Sequence, residues 1–235
     1  MNQEKIWDYF QGEGISNFDD AVPRLRYLVR RAKALVSTSQ PRVLNIGVGN
    51  GWLEQECLHL GWRVSALDPS ESAILKLSKD GIDARTGYIE DMPFDAEIFD
   101  IVFCSEVLEH LRDEQLASGR KEIARVLKPE GWIIGTVPNN ENLMEGLVVC
   151  ADCGKRFHRW GHHQSFDLLR MTAFLRDGGF SPEIVKTYAF PVWRPGRPLN
   201  RIRQSLRWLL GQLGSAQVYC NIYFAGKKSD ASNEA

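Results

Sequence analysis

The strongest fold signal in this chain is the stretch Arg42-Val43-Leu44-Asn45-Ile46-Gly47-Val48-Gly49-Asn50-Gly51-Trp52-Leu53-Glu54. A short apolar run ends in three alternating glycines, and an amphipathic segment follows them. Glycine adopts a positive φ readily and carries no Cβ, so a ligand can approach the backbone while N–H groups of the next helix face its anionic or polar end. The stretch predicts a strand, a tight turn and a helix that together bind a small molecule.

Length and composition limit the possible classes of protein. With 235 residues, the chain has room for one large α/β domain with an insertion, but not for two full domains. A net charge of -1 gives no case for an obligate nucleic-acid partner. The five cysteines are an odd number, the first residues lack the apolar core of a signal peptide, and no apolar run reaches the roughly 18 residues of a membrane span. We therefore expect a cytoplasmic protein.

Apolar strands alternate with amphipathic helices along the chain, which predicts a twisted, mostly parallel sheet with helices on both faces. The predicted helices cover 19–36, 52–60, 71–79, 112–127 and 166–177, and the predicted strands cover 42–46, 63–68, 82–86, 99–104, 132–137, 181–189 and 217–225. In this interpretation residues 1–40 form an N-terminal helical cap, residues 41–226 form the main domain, and residues 227–235 are a disordered tail. The aromatic residues within 1–18 fit either a lid over a substrate or simple packing.

The spacing of the glycines narrows the choice of ligands that the turn could bind. A dinucleotide fingerprint requires its third glycine at position 52, which is Trp52 here. This weighs against a nucleotide-binding oxidoreductase or epimerase, which stays open as an alternative. Asp68 ends the second strand, where a carboxylate can accept both hydroxyls of a ribose. Its alternative role is to cap the helix that follows.

Three segments carry a resemblance to a known family. The stretch from Val43 to Gly51 resembles the first motif of class I S-adenosylmethionine (SAM) dependent methyltransferases, V-L-D-x-G-x-G-x-G. The segment from Gly87 to Phe94 resembles their G-D-A-E-D-L-P-F segment, and Lys128-Pro129-Glu130-Gly131 with Pro138-Asn139 resembles their L-K-P-G-G and P-N pattern. The resemblance implies a Rossmann-like seven-stranded, mostly parallel sheet whose last strand is antiparallel, with SAM as methyl donor.

The resemblance also implies which residues bind SAM. The glycines would hold the methionine end, Asp68 the ribose, and the segment from Tyr88 to Glu90 the adenine. Asn45 and Tyr88 replace two aspartates of the family pattern, so Glu90 is the candidate acceptor for the adenine amino group. The candidate SAM-binding residues are Asn45, Gly47, Gly49, Gly51, Asp68, Pro69, Tyr88, Ile89, Glu90 and Ser105. The two replacements keep a non-catalytic SAM-binding module open as an alternative function.

Candidate catalytic residues directly follow the fourth strand. Spacings of three and four predict that Glu106, Glu109 and His110 share one face of a helix, as proton acceptors or ligands. The segment resembles that of the ubiquinone-biosynthesis O-methyltransferases and the small-RNA 2′-O-methyltransferases, where Glu-x-x-Glu-His holds a divalent metal over the acceptor oxygens. In the small-RNA family a further histidine joins the set, and His162 or His163 occupies a comparable place. We take Glu106, Glu109, His110 and His163 as candidate catalytic residues for methylation of a small-molecule acceptor, expected at oxygen.

A second constellation lies in the loop 148–165. Two cysteines two residues apart, followed by glycine and histidines at short spacing, resemble a zinc knuckle. The pattern predicts structural zinc held by Cys150, Cys153, His158 and one of His162 or His163, with His162 as the first choice. His162 cannot serve both this site and the catalytic set. Two ordinary thiols, with the histidines at the acceptor site, remain the alternative.

The insertion 190–214 predicts a basic amphipathic helix. It contains five arginines and no acidic residue, together with an apolar stripe. The arginines are Arg194, Arg197, Arg201, Arg203 and Arg207, and the stripe is Leu199, Ile202, Leu206, Leu209, Leu210 and Leu213. Two interpretations are open. Either the insertion packs on the sheet and covers the acceptor, or it contacts a membrane surface, a lipid-linked acceptor or a phosphorylated acceptor.

Overall fold

The computed structural model describes residues 16–191, 198–212 and 220–229. In chain order the elements are a 3-10 helix Ser16–Ala21, α1 Val22–Leu35, β1 Arg42–Ile46, α2 Trp52–His59, β2 Arg63–Asp68, α3 Glu71–Lys79, β3 Asp83–Thr86, β4 Phe99–Ser105, a 3-10 helix Leu108–His110, α4 Asp113–Val126, β5 Leu127–Pro138, β6 Leu147–Val149, β7 Arg156–His158, α5 Leu168–Asp177, β8 Phe180–Tyr188, α6 Pro198–Gln212 and β9 Asn221–Lys228. Residues 1–15 of the predicted cap and residues 230–235 of the predicted tail lie outside the described ranges.

Seven strands form the main sheet in the order β3-β2-β1-β4-β5-β9-β8. The pairs from β3 through to β5 are parallel, whereas β9 is antiparallel to both β5 and β8. The predicted fold class, with its reversed last strand, is therefore confirmed. The chain runs outward from β1 to β3 and returns to β4, so the carboxyl ends of β1 and β4 border the crevice where parallel sheets bind ligands.

Both faces of the sheet are covered, as the continuous apolar strands require. On one face Leu44 and Val102 belong to a core that includes Ile123 of α4 and Leu175 of α5. On the other face a second core joins neighbouring strand residues to α1, α2 and α3. Adjacent strand residues thus point into two cores, which holds the central strands in register.

A buried pair connects β1 to α2. The Asn45 amide donates to Glu54 Oε1 at 2.7 Å and to the Gly47 carbonyl at 3.3 Å. Burial raises the pKa of Glu54 to about 7. An aspartate at position 45 would place a second carboxylate beside Glu54, whereas the asparagine amide donates to it. The departure from the family pattern at Asn45 therefore has a local structural reason.

Several element boundaries differ from the prediction. The segment Ser16–Ala21 is a 3-10 helix, so α1 begins only at Val22. The loop that follows β5 contains a small antiparallel hairpin of β6 and β7, which the sequence did not predict. The last strand reaches Lys228, where a tail was expected from residue 227, because Lys228 pairs with Phe180 and its Nζ donates to the Leu127 carbonyl. Within the described ranges, no helix has the length and apolar character needed to cross a membrane.

Glu54→Gln is predicted to stabilise the protein above neutral pH. Between pH 4.5 and about 7 the folded chain keeps a proton on Glu54 that the unfolded chain has lost. The free energy of unfolding therefore falls as pH rises through this window, by about 3 kcal/mol. Glutamine carries no charge and keeps an oxygen for Asn45. In urea unfolding, the variant should gain stability over the natural protein at pH 8 and much less at pH 5.

The control is Glu56→Gln, at a partly exposed position on the same helix. It should change the free energy of unfolding at pH 5 and at pH 8 by similar small amounts. If the free energy of unfolding of Glu54→Gln differs between pH 5 and pH 8 by as much as that of the natural protein, the raised pKa of Glu54 is contradicted.

Candidate active site

A cavity of about 670 Å³ opens at the carboxyl ends of β1, β2 and β4. This volume falls in the range of roughly 300 to 1,000 Å³ that is typical of small-molecule sites. All the predicted SAM-binding residues line the cavity except Gly51. Residues from α1, from the loop after β5 and from the loop after β7 form the rest of its wall. The crevice expected from the strand order is therefore present, and it extends beyond the predicted donor site.

The glycine turn forms one wall, and its conformation requires glycine. Gly47 and Gly49 have φ of 82° and 54°. A Cβ on Gly47 would lie 2.7 Å from Val107 Cγ2, so no other residue fits there without a shift. Gly51 also has a positive φ, but it begins α2 and packs against Leu77. Gly51 lies outside the lining of the cavity, and its predicted contact with the ligand stays a prediction.

Asp68 joins the glycine turn to the end of β2. Its Oδ2 accepts from the Val48 N–H at 2.9 Å, and its Oδ1 accepts from the Ser70 N–H at 2.9 Å. The helix that follows is capped by the Ser70 hydroxyl, which accepts from the Ala73 N–H. The alternative role of Asp68 as the helix cap therefore does not apply. The carboxylate is buried and lines the cavity.

The predicted adenine segment contains one open acceptor. Glu90 Oε1 accepts from the Gln115 amide at 2.9 Å, whereas Glu90 Oε2 is buried and has no hydrogen-bond partner among the described residues. Tyr88 is 47% exposed at the cavity edge, and the Ile89 side chain packs against Gly119. An amino group on a ligand would satisfy the open oxygen of Glu90.

Arg24, which the sequence analysis did not select, lines the cavity. Its Nε donates to Ser105 Oγ at 3.2 Å, and its guanidinium lies 4.0 Å from Glu106 Oε2. The missed signal is its helical position. Arg24 precedes the buried Leu28 by four residues, so it projects from the same side of α1.

Glu106 does not join the other predicted catalytic residues. It has a φ of 57°, and both oxygens of its carboxylate accept from the Asn221 amide, at 2.9 and 3.0 Å. The residues after it form the 3-10 helix Leu108–His110, so the single α-helical face expected from the spacing does not exist. Glu106 lines the cavity, but it is directed at β9 and Arg24. Sequence analysis also missed Asn221, which lies on a strand that carries no motif.

Glu109 and His110 meet His162 across the cavity. One ligand atom of each residue lies within 4.8 Å of the others. Burial, with Glu106 next in effect, raises the pKa of Glu109, and neither oxygen of its carboxylate has a hydrogen-bond partner among the described residues. Burial, followed by the neighbouring His162, lowers the pKa of His110 to about 3, so His110 is neutral.

Glu141 orients the histidines from the opposite side. Its Oε2 lies 2.5 Å from His162 Nδ1, and its Oε1 lies 3.6 Å from His158 Nε2. The His162 N–H donates to His158 Nδ1 at 3.1 Å, so the proton of neutral His158 is on Nε2. Because a carboxylate only accepts, His162 carries its proton on Nδ1 and leaves Nε2 as an acceptor. No motif in the sequence marks Glu141.

The predicted zinc knuckle is not assembled. The two cysteines lie at the turn of the β6–β7 hairpin, whereas His158 lies at its other end, paired with Leu147. Neither of the two described groups that could hold a metal contains Cys150 or Cys153, and one of the groups joins His158 and His162 to Glu141. The structure therefore does not bring the zinc set of Cys150, Cys153, His158 and His162 together, because the ladder of β6 and β7 places the cysteines and His158 at opposite ends of the hairpin.

His163 was predicted to be catalytic, but it is exposed and does not line the cavity. Its backbone N–H donates to the Glu109 carbonyl at 2.7 Å. This bond fixes the loop so that His162 points inward, and the next side chain therefore points outward. His162, and not His163, lines the cavity of the candidate active site.

The fold and the glycine turn define a nucleoside-binding α/β protein, and comparisons identify its family. Residues 44–135 match the family described as methyltransferase domain. The chain is 31% identical over 204 residues to the ubiquinone biosynthesis O-methyltransferase of Xylella fastidiosa (strain M23), covering 82% of this chain and 78% of that protein. Identity to the enzyme of the same name from Xanthomonas axonopodis pv. citri is 30%, covering 82% and 81%.

A solved structure shares the fold. It is the Burkholderia thailandensis 1,6-didemethyltoxoflavin-N1-methyltransferase with bound 1,6-didemethyltoxoflavin and S-adenosylhomocysteine, with a TM-score of 0.65, 17% identity and coverage of 97% of this chain and 86% of that chain. The chain belongs to the class I SAM-dependent methyltransferases. It is an enzyme, and SAM is its methyl donor.

Asp68→Asn is predicted to weaken SAM binding roughly thirtyfold. The change removes the charge from hydrogen bonds to the ribose and to two backbone N–H groups, and a hydrogen bond to a charged group contributes about 2 kcal/mol. Calorimetric titration with SAM measures the change.

The matched control is Asp100→Asn. Asp100 Oδ2 accepts from the Arg42 N–H at 2.8 Å, but Asp100 does not line the cavity. The control should lose comparable stability and keep its SAM affinity. Equal affinities for SAM in both variants would refute the ribose assignment.

Proposed function

We propose that this enzyme transfers the methyl group of SAM to a hydroxyl oxygen of a small molecule. SAM supplies a methyl carbon already activated by the sulfonium, so the protein has to position the acceptor and take its proton. The observation that carries the proposal is a single cavity, with the glycine turn at one end and the His162–Glu141 pair at the other. This arrangement brings a donor and a proton acceptor to the same space.

The residues around the glycine turn suit the parts of SAM. Gly47 and Gly49 leave room for the methionine end, and Asp68 accepts from the ribose hydroxyls. Glu90 accepts from the adenine amino group through its open Oε2. Arg24 supplies a cation for the donor carboxylate from its place beside Ser105.

The proton acceptor favours oxygen as the methylated atom. A phenol has a pKa near 10 and is a weak nucleophile until its proton is removed. His162 Nε2 can take that proton, and Glu141 stabilises the imidazolium that forms, because it accepts from Nδ1. Trp160 and Phe190 also line the cavity and suit a planar ring. The names of the relatives, which are O-methyltransferases of ubiquinone biosynthesis, support oxygen as the methylated atom.

The resemblance implies a divalent metal in this site, and three residues fit one. Glu109, His110 and His162 each offer a ligand atom. The Gly161 carbonyl bonds to the His110 ring and Glu141 bonds to the His162 ring, as protein oxygens commonly hold metal-binding histidines. Glu106 falls outside this set, since Asn221 and Arg24 bond to it. If these three residues held a metal, His162 would be a ligand rather than the proton acceptor, and the metal would instead lower the pKa of the acceptor hydroxyl.

His162→Gln is predicted to lower kcat about 10²-fold to 10⁴-fold, with no change in the affinity for S-adenosylhomocysteine. The rate is measured with tritiated SAM and the best acceptor from a panel of ring hydroxyls, ring amines and sugars. His163→Gln is the matched control and should stay near the natural rate, because His163 lies outside the cavity.

Two outcomes would count against the proposed reaction. Transfer to amines at rates that His162→Gln leaves unchanged would overturn methylation at oxygen. SAM binding without turnover on any member of the panel would favour the non-catalytic module.

Glu109→Gln is predicted to weaken Mn²⁺ binding at least tenfold, because it removes the only carboxylate among the three metal-binding residues. Electron paramagnetic resonance of Mn²⁺ titrated into the protein gives a readout independent of turnover. Glu90→Gln alters another cavity carboxylate with an open oxygen, and it should keep Mn²⁺ affinity while losing SAM affinity. Identical Mn²⁺ binding in the natural protein and Glu109→Gln would exclude the metal from this site.

A further inference from the structure

The apolar stripe of α6 faces solvent. Ile202, Leu206, Leu209 and Leu210 are 68%, 55%, 48% and 39% exposed. Their spacings of four, three and one place them on one side of the helix. A stripe of this kind normally covers a core, and contiguous exposed apolar surface marks a site of interaction. These exposed residues of α6 therefore do not pack on the sheet, as one of the two interpretations expected.

The helix attaches to the protein through its other side. Trp208 Nε1 donates to the Tyr188 hydroxyl at 3.2 Å, and Gln204 is partly buried. Successive residues of a helix turn by about 100°, so Trp208 and Gln204 project nearly opposite to the stripe. The contact with β8 thus fixes α6 in an orientation that leaves the stripe outward.

Charge indicates what covers the stripe. No acidic residue lies between Glu183 and Asp230, whereas five arginines fall between residues 194 and 207. Arg203 is exposed at the border of the stripe, next to Leu210 on the helix surface. The whole chain has a net charge of -1, so the rest of the chain carries a net negative charge that offsets this cationic segment. An apolar stripe with Arg203 at its border, within an arginine-rich segment, is complementary to the surface of an anionic membrane, where apolar groups enter the interface and cations meet the headgroups.

We propose that α6 docks this protein on an anionic membrane surface. The stripe enters the interface while Arg203 contacts the anionic headgroups. A second copy of the chain would bury the stripe equally well, but it would bring two cationic helices together without acidic partners.

The docked helix lies next to the active site. The Tyr188 ring, which holds Trp208, lies 4.8 Å from the Phe190 ring between centroids, and Phe190 lines the cavity. A membrane on α6 would therefore lie close to the acceptor end of the cavity. This step rests on the proposed function, and it assigns the acceptor to compounds that partition into lipid.

The test is cosedimentation of the full chain with vesicles. We expect binding to vesicles of equal parts phosphatidylcholine and phosphatidylglycerol, weaker binding as ionic strength rises, and little binding to pure phosphatidylcholine. Leu206→Glu and Arg203→Glu should each weaken binding to the anionic vesicles at least fivefold. The controls are Leu169→Glu, at an 82% exposed leucine of α5, and Arg176→Glu on the same helix, and both should bind like the natural protein.

Three other outcomes would contradict the proposal. Absence of binding to anionic vesicles overturns it, as does equal weakening by Leu206→Glu and Leu169→Glu. A dimer in sedimentation velocity that Leu206→Glu dissociates, with vesicle binding unchanged, would assign the stripe to a second copy. Vesicle binding needs neither SAM nor acceptor, so failure of the proposed methyl transfer would leave this result standing.

Discussion

The carboxylate of Asp68 is the contact on which the donor site depends. Its two oxygens accept from Val48 of the glycine turn and from Ser70 at the start of α3, so one side chain joins the ends of β1 and β2. Burying a carboxylate is unfavourable unless it is hydrogen-bonded, and these two N–H groups provide that compensation. The residue that we propose faces the ribose therefore also holds the turn that we propose receives the methionine end. On this proposal, donor binding and local folding are coupled at a single position.

The donor site was predictable because it is local in sequence. Gly47, Asp68 and Glu90 lie in turns or segments that directly follow strands, and parallel strands bring such segments to one edge of the sheet. Motif and order along the chain therefore determine their place. The acceptor end has another origin. Arg24 and Glu141 come from a helix and a loop whose positions depend on tertiary packing, and no motif marks them.

The error over zinc has a specific physical cause. Ligand spacing predicts a knuckle when one turn sets the positions of all the ligands. Here a three-residue ladder of β6 and β7 intervenes, so Cys150 and His158 fall at opposite ends of the hairpin. The same ladder brings His158 against Glu141, which then fixes the proton on His162. The hairpin is too short to be recognised in the sequence. Because of it, His158 lies beside Glu141 and not at the predicted zinc site.

The charges around the cavity suit a donor that loses its charge on reaction. The sulfonium of SAM is cationic, and its product is a neutral thioether, so strong fixed anions beside the sulfur would stabilise the donor more than the transition state. The cavity wall contains several carboxylates, and two of them, Glu106 and Glu109, are moderated. Glu106 accepts from Asn221 and faces Arg24, and burial raises the pKa of Glu109 so that it favours the neutral form. Glu106 and Glu109 therefore contribute less negative charge to the cavity than two free carboxylates would, which limits the electrostatic stabilisation of a cationic donor before transfer.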